Sequence, residues 1–158
     1  MKTLTLPEAA LAVATKAHAG QTRNDKITPY IEHPKAVMHF VAILTVFGWS
    51  PRDREIAQAV AALHDVNEDH PEWTLGNIVD EIETLTGSTT KKERAVIKDA
   101  LYLLNKNNHE SYLAMILAIK KNHIARIVKM ADIRHNMSDG PSKSNLKVYQ
   151  LALYILQN

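Results

Sequence analysis

The chain has no cysteine. A disulfide framework and a thiolate metal site are both excluded, so any bound metal must take nitrogen and oxygen ligands. No apolar run approaches the roughly 20 residues of a membrane span, so no membrane partner is expected. Glycine is scarce, 5 in 158 residues, and no repeat, linker or low-complexity tract interrupts the chain. Neither charge dominates. Lys and Arg number 19 against 17 Asp and Glu, a formal net charge of +2. That balance is too even to argue for a nucleic-acid partner. The opening Met1-Lys2-Thr3-Leu4 carries one charge and is soon followed by Pro7 and Glu8. It does not read as an export signal, and a cytoplasmic protein is expected.

What the sequence does have is helical periodicity. Val37, Phe40, Val41 and Leu44 form one stripe, and Ile56, Val60 and Leu63 another. Ile78, Ile82 and Leu85 follow, then Val96, Ile97, Ala100, Leu101 and Leu104. Ile124, Ile127, Val128 and Ala131 come next, and Val148, Leu151, Ala152 and Ile155 close the series. Spacings of three and four bury one face of a helix. Thr5-x-x-Glu8 and Thr90-x-x-Glu93 are capping boxes. Ser50 before Pro51 is an N-cap, and Thr74 and Ser144 are further candidates. Gly20, Gly48 and Gly87 fall where helices should stop. The reading is all-α, a single domain over 1–158. About eight helices are expected, near 5–19, 34–47, 51–66, 75–86, 91–105, 110–121, 123–137 and 145–157.

Three segments carry metal-type ligands at helix ends. In Pro29-Tyr30-Ile31-Glu32-His33-Pro34, the proline fixes a helix start and puts His33 at the N-cap. Leu63-His64-Asp65-Val66-Asn67-Glu68-Asp69 ends an Ala- and Val-rich helix that must be nearly buried. In Lys129-Met130-Ala131-Asp132-Ile133-Arg134-His135-Asn136, Asp132 and Asn136 share a helix face. Singly, each has an ordinary reading as a cap or an ion-pair partner. Together they place two imidazoles and two carboxylates in buried surroundings, which is costly without a partner. A divalent Mn, Fe or Zn ion would serve. If the helix runs on past Asp65, Glu68 and Asp69 fall one turn beyond His64 and Asp65. There they could move protons while the metal activates a water.

These segments, with Ala17-His18-Ala19-Gly20-Gln21-Thr22-Arg23, resemble the HD-type hydrolase domain of the RelA/SpoT homologues. The resemblance is greatest to the stand-alone small alarmone hydrolases, and it spans nearly the whole chain. It implies an HD-domain helical bundle with Mn²⁺ on His33, His64, Asp65 and Asp132. Glu68 and Asp69 would be the catalytic acid/base pair. Arg23 would lie along the base, Asn136 would contact the ribose, and Tyr149 would be a further substrate contact. The implied substrate is a nucleotide, guanosine tetra- or pentaphosphate. Its 3′-diphosphate would leave as pyrophosphate, with GDP or GTP remaining. Only the hydrolase part of that family is matched, so only hydrolysis is carried over.

Two departures bear on the substrate. The loop Asn24–Thr28 lacks the glycine that the family commonly places there and is one residue longer. After Asn136, Met137-Ser138-Asp139 stands where the family has a basic residue. The alternatives are an HD phosphohydrolase of another nucleotide or a non-catalytic nucleotide sensor. The former could act on a nucleoside monophosphate, a deoxynucleotide, an adenosine alarmone or NADPH. His18 is expected to pack and orient a loop. His39, His70, His109 and His123 are expected at the surface. His135 falls close to the face of Asp132, where it either backs a ligand or meets solvent. Lys91-Lys92-Glu93-Arg94 reads as a solvated first turn, and Trp49 and Trp73 as cover over the core edge.

Overall fold

The structure is a computed structural model that describes residues 3–158. Met1 and Lys2, which open the segment read as no export signal, lie outside the described residues. Among the described residues the fold is all-α, without strands. The α-helices are α1 (Leu6–Ala17), α2 (Glu32–Leu44), α3 (Pro51–Leu63), α4 (Val66–Asp69) and α5 (Leu75–Thr86). They continue with α6 (Lys91–Leu104), α7 (Tyr112–Ile119), α8 (His123–Ser138) and α9 (Lys143–Gln157). One turn of 3-10 helix, Lys106–Asn108, follows α6. No helix among these residues is long and apolar enough to cross a membrane.

The centre of the bundle is α3. Ala57, Ala59, Val60, Ala61, Ala62 and Leu63 are all fully buried, so the helix is enclosed on every side from Ala59 onward. Its alanines let α1, α2, α6 and α8 approach closely around it. Ser50 caps its start by accepting from the Asp53 N–H, with Pro51 in the first turn. Truncating Leu63 to alanine here would cost about 2–5 kcal/mol, because the crowded alanine wall cannot collapse into the gap. Burial on all sides carries the end of α3, His64-Asp65, into the middle of the molecule.

Most of the punctuation holds. Thr5 and Thr90 form complete capping boxes, and Thr74 accepts from the Asn77 N–H. Gly87 ends α5 at φ +68°, a conformation that side chains with a Cβ disfavour. Four expectations about these helices need correction. The helix expected over 51–66 stops at Leu63, and a separate turn, α4, starts at Val66. His33 is not an N-cap: α2 begins at Glu32, and His33 is its second residue. The cap of α9 is Ser142, which accepts from the Asn145 N–H; Ser144 lies inside the helix. Val148 and Leu151 are exposed, although they share the α9 stripe with buried Ala152. α9 packs mainly on α7 and α8, which cover part of its apolar face.

Lys91-Lys92-Glu93-Arg94 is more than a solvated turn. Glu93 accepts from Arg52 of α3, and Arg94 pairs with Asp80 and Glu83 of α5. Trp49 and Trp73 pack on the core edge as expected.

Candidate metal centre

Three elements meet at the C-terminal end of α3. The first turn of α2 brings His33, the α3–α4 break brings His64 and Asp65, and the middle of α8 brings Asp132. His33, His64 and Asp132 are buried and form a cluster able to hold a metal ion. His33 Nε2 lies 3.2 Å from His64 Nε2, 3.2 Å from Asp132 Oδ1 and 3.4 Å from Asp65 Oδ2. His64 Nε2 lies 3.0 Å from Asp65 Oδ2 and 3.6 Å from Asp132 Oδ1. Ligand atoms about 2.1 Å from one ion sit roughly 3.0 Å apart in an octahedron and roughly 3.4 Å apart in a tetrahedron. The observed spacings therefore suit donors around a single ion. Two imidazoles with carboxylates suit a divalent transition metal.

The surroundings prepare each donor. His64 Nδ1 donates to the Ala61 carbonyl at 2.8 Å, so in the neutral ring the Nε2 lone pair points toward the cluster. His33 Nδ1 lies 2.7 Å from His135 Nδ1, so one ring donates to the other. With a metal on Nε2, His33 must carry its proton on Nδ1, and His135 is then the acceptor. Of the two readings its helical position left open, His135 is thus half-buried against His33, a candidate ligand. The Tyr30 hydroxyl donates to Asp65 Oδ2 at 2.6 Å. Asp132 accepts from Lys129 Nζ on Oδ2 and from Asn136 Nδ2 on Oδ1, both at 2.7 Å.

The electrostatics are those of a site built for positive charge. Burial works against ionisation of Asp132, yet Lys129 and the two imidazoles outweigh it and hold the carboxyl well below its ordinary range. Burial of Asp65 is likewise outweighed by His64 and His33. Burial of Lys129 is outweighed by Asp132, which keeps the ammonium charged.

Four of the other expected residues line a cavity beside this cluster. A cavity of about 240 Å³ is lined by Glu68, Arg23, Asn136 and Tyr149 together with His33, Asp65 and Asp132. Glu68 accepts from the Lys106 backbone N–H at 2.9 Å and pairs with Lys106 Nζ at 2.7 Å. Asp69 does not line this cavity; its Oδ2 accepts from Gln21 Nε2 at 2.9 Å. Gln21 Oε1 lies 2.7 Å from His18 Nδ1 and 2.9 Å from His70 Nε2. His18 is therefore a buried loop-orienting residue, as expected. His70 is half-buried in the same network rather than at the surface, and His109 is half-buried on the Leu103 carbonyl. His39 and His123 are exposed.

Arg23 Nη2 donates to Asn136 Oδ1 at 3.3 Å, forms an ion pair with Asp139, and lies 5.5 Å from the Tyr30 ring centroid. A second cavity, about 260 Å³, adjoins the first through Arg23 and His33 and is also lined by Asn24, Asp25, Thr28, Glu32, His135 and Asp139. The loop without glycine puts Lys26 at φ +58° and is tied by Asp25, which accepts from the N–H groups of Ile27 and Thr28.

Sequence reasoning gave no role to Tyr30, Lys129, Gln21 or Lys106. Lys129 was findable, because it stands three residues before Asp132 on the same helix face. Lys106 was not, because its contact with Glu68 spans 38 residues.

Comparison with known proteins agrees with this geometry. The family described as HD domain matches residues 30–151. The bifunctional (p)ppGpp synthase/hydrolase SpoT of Escherichia coli (strain K12) is 34% identical over 134 residues, covering 81% of this chain and 17% of that protein. The guanosine-3′,5′-bis(diphosphate) 3′-pyrophosphohydrolase of Haemophilus influenzae is 32% identical over 125 residues, 79% of this chain and 17% of that protein. A GTP pyrophosphokinase of Streptomyces antibioticus is 31% identical over 139 residues, 85% of this chain and 15% of that protein. The chain spans only a small part of the length of these curated relatives.

Proposed function

From the premise that this chain belongs to the HD domain family, we propose that it is a metal-dependent phosphohydrolase that removes the 3′-diphosphate of guanosine tetra- or pentaphosphate. One observation carries the reading: four buried or half-buried donors converge beside a cavity that also holds a carboxylate, Glu68, and three cationic side chains. The named activities of the similar proteins support the choice of substrate.

His33, His64, Asp65 and Asp132 would hold the metal, with Mn²⁺ as the working ion. A bound divalent ion supplies a Lewis acid that polarises a phosphoryl oxygen and lowers the pKa of a coordinated water. The chain's own residues do the rest. Lys129 keeps Asp132 ionised, and the Tyr30 hydroxyl orients Asp65. Glu68, facing the cavity, takes the proton from the attacking water, and Asp69, held by Gln21 outside the cavity, supports it from the next position of α4. The water oxygen bonds to the phosphorus attached to the ribose O3′, and the O3′–P bond breaks. Pyrophosphate leaves, and O3′ takes the proton back from Glu68. Arg23, with one face toward Tyr30, offers the other to a base. Asn136 lies between Arg23 and Asp132, where a ribose would pass. Tyr149 lines the same cavity, where it would be a further substrate contact.

The test is purified protein with Mn²⁺ against a panel of nucleotides, with pyrophosphate and orthophosphate measured separately. Pyrophosphate from guanosine tetraphosphate is the expected result. Orthophosphate from a monophosphate or from NADPH, with guanosine tetraphosphate untouched, would overturn the substrate assignment.

A further inference from the structure

Three cationic side chains line the metal-side cavity: Arg23, Lys106 and Lys129. Two are already committed. Lys129 is inserted beside Asp132 and supports the charge of a metal ligand. Arg23 is held by Asp139 and Asn136. Lys106 differs. Its side chain is 67% exposed, and its ammonium pairs, among the described residues, with Glu68 Oε1 at 2.7 Å. An ion pair with a solvated partner is weak and exchanges readily. A diphosphate carries more charge than a carboxylate and binds an ammonium through several oxygens.

The same residue also grips Glu68 a second way. The Lys106 backbone N–H, at the start of the 3-10 turn, donates to Glu68 Oε2 at 2.9 Å. This bond does not depend on where the lysine side chain goes. If the ammonium moves to a phosphate, Oε2 stays anchored and Oε1 is released into the cavity. The carboxylate is then oriented by the backbone and no longer neutralised by its neighbour.

Resting on the polyphosphate reading of this site, we propose that Lys106 is the diphosphate-binding residue, and that its transfer from Glu68 to the substrate frees that carboxylate for proton transfer. Paired with Lys106, Glu68 is quenched; arrival of the phosphates activates it. Substrate binding and readiness of the proton acceptor are thereby coupled through one side chain.

The test uses inorganic pyrophosphate as the probe, so it does not depend on which nucleotide is turned over. Binding to the Mn²⁺-loaded protein is measured by calorimetry for wild type, Lys106→Gln, Lys106→Arg, Glu68→Gln and the Lys106→Gln/Glu68→Gln pair. Lys106→Gln should weaken pyrophosphate binding by about tenfold or more, and Lys106→Arg should restore most of it. Glu68→Gln should tighten binding, because the ammonium no longer has a competing carboxylate. That gain should vanish in the double variant. A merely structural role for Lys106 would not produce this dependence on Glu68. Equal pyrophosphate affinity in wild type and Lys106→Gln, or no binding by wild type, would overturn the proposal. Pyrophosphate binding with the expected pattern, but no pyrophosphate release in the nucleotide panel, would overturn the substrate assignment and leave the Lys106 proposal standing.

Discussion

Lys129 places its ammonium 2.7 Å from Oδ2 of Asp132, while Oδ1 of the same carboxylate faces the imidazoles of His33 and His64. One carboxylate thus joins a fixed internal cation to the place where a metal would sit. Removing one member of a buried pair leaves the other uncompensated, at a cost of about 3–5 kcal/mol. Lys129→Met should therefore lower the stability of the metal-free protein by about that amount in chemical denaturation. An unchanged midpoint would show that the pair contributes nothing beyond what its solvated parts would.

The ligand set makes a sharper statement. His64→Ala or Asp65→Ala should abolish stoichiometric metal binding, while far-ultraviolet circular dichroism stays helical. His135→Ala should be milder. It removes the partner of His33 Nδ1, and loss of such support for a ligand typically costs about 10- to 100-fold in affinity. Metal titrations read all three. An Asp65→Ala variant that keeps one tightly bound ion would contradict the assignment.

The two acidic residues after the ligands should separate in turnover. Glu68 lines the cavity, whereas Asp69 is held by Gln21. Glu68→Gln should keep the metal and lose about 10²–10⁴-fold in rate. Asp69→Asn should also keep the metal and lose rate, with the smaller effect of the two. Unchanged turnover in both would mean that they are only charges at the end of α4.

Arg23 and Asp139 should behave as a unit. Arg23→Ala should raise KM more than it lowers kcat, because a stacking surface contributes binding felt equally in the ground and transition states. Asp139→Asn frees the guanidinium from its ion pair and should give a smaller rise in KM. A fall in kcat with KM unchanged in both variants would remove Arg23 from the binding surface and place it in the chemistry.

The Glu93–Arg52 pair gives a pH dependence away from the metal site. The hydrogen bond from Arg52 lowers the Glu93 carboxyl from an ordinary 4.5 to about 2, assisted by the N–H of Thr90. A carboxyl with a depressed folded pKa contributes stability that is fully present above its unfolded pKa. That contribution is lost as pH falls toward the folded value. Arg52 is partly solvated, so the contribution is about 1 kcal/mol. Glu93→Gln should thus cost about 1 kcal/mol at pH 7, and the difference from wild type should shrink between pH 4.5 and 2. A difference that stays constant down to pH 2 would assign the effect to packing instead.

The sequence by itself determined the helical class, most helix starts and the four metal-ligand candidates. These rest on local rules: apolar spacing, a capping oxygen such as that of Thr5 or Thr90, and ligand residues placed beside a proline or at the end of an alanine-rich run. Only the tertiary structure decided what those residues meet. The break after Leu63 was invisible locally, because nothing in Leu63-His64-Asp65-Val66 disfavours a continuing helix; the packing of α3 and the turn of α4 set it. The partners of Glu68, Asp69 and Arg23 lie 38, 48 and 116 residues away along the chain. Asp139 is the clearest case. As a residue type in sequence it argues against a polyphosphate, yet in space it is neutralised by Arg23. An ion pair is a property of distance between side chains, and that distance exists only once α8 has packed beside the α1–α2 loop.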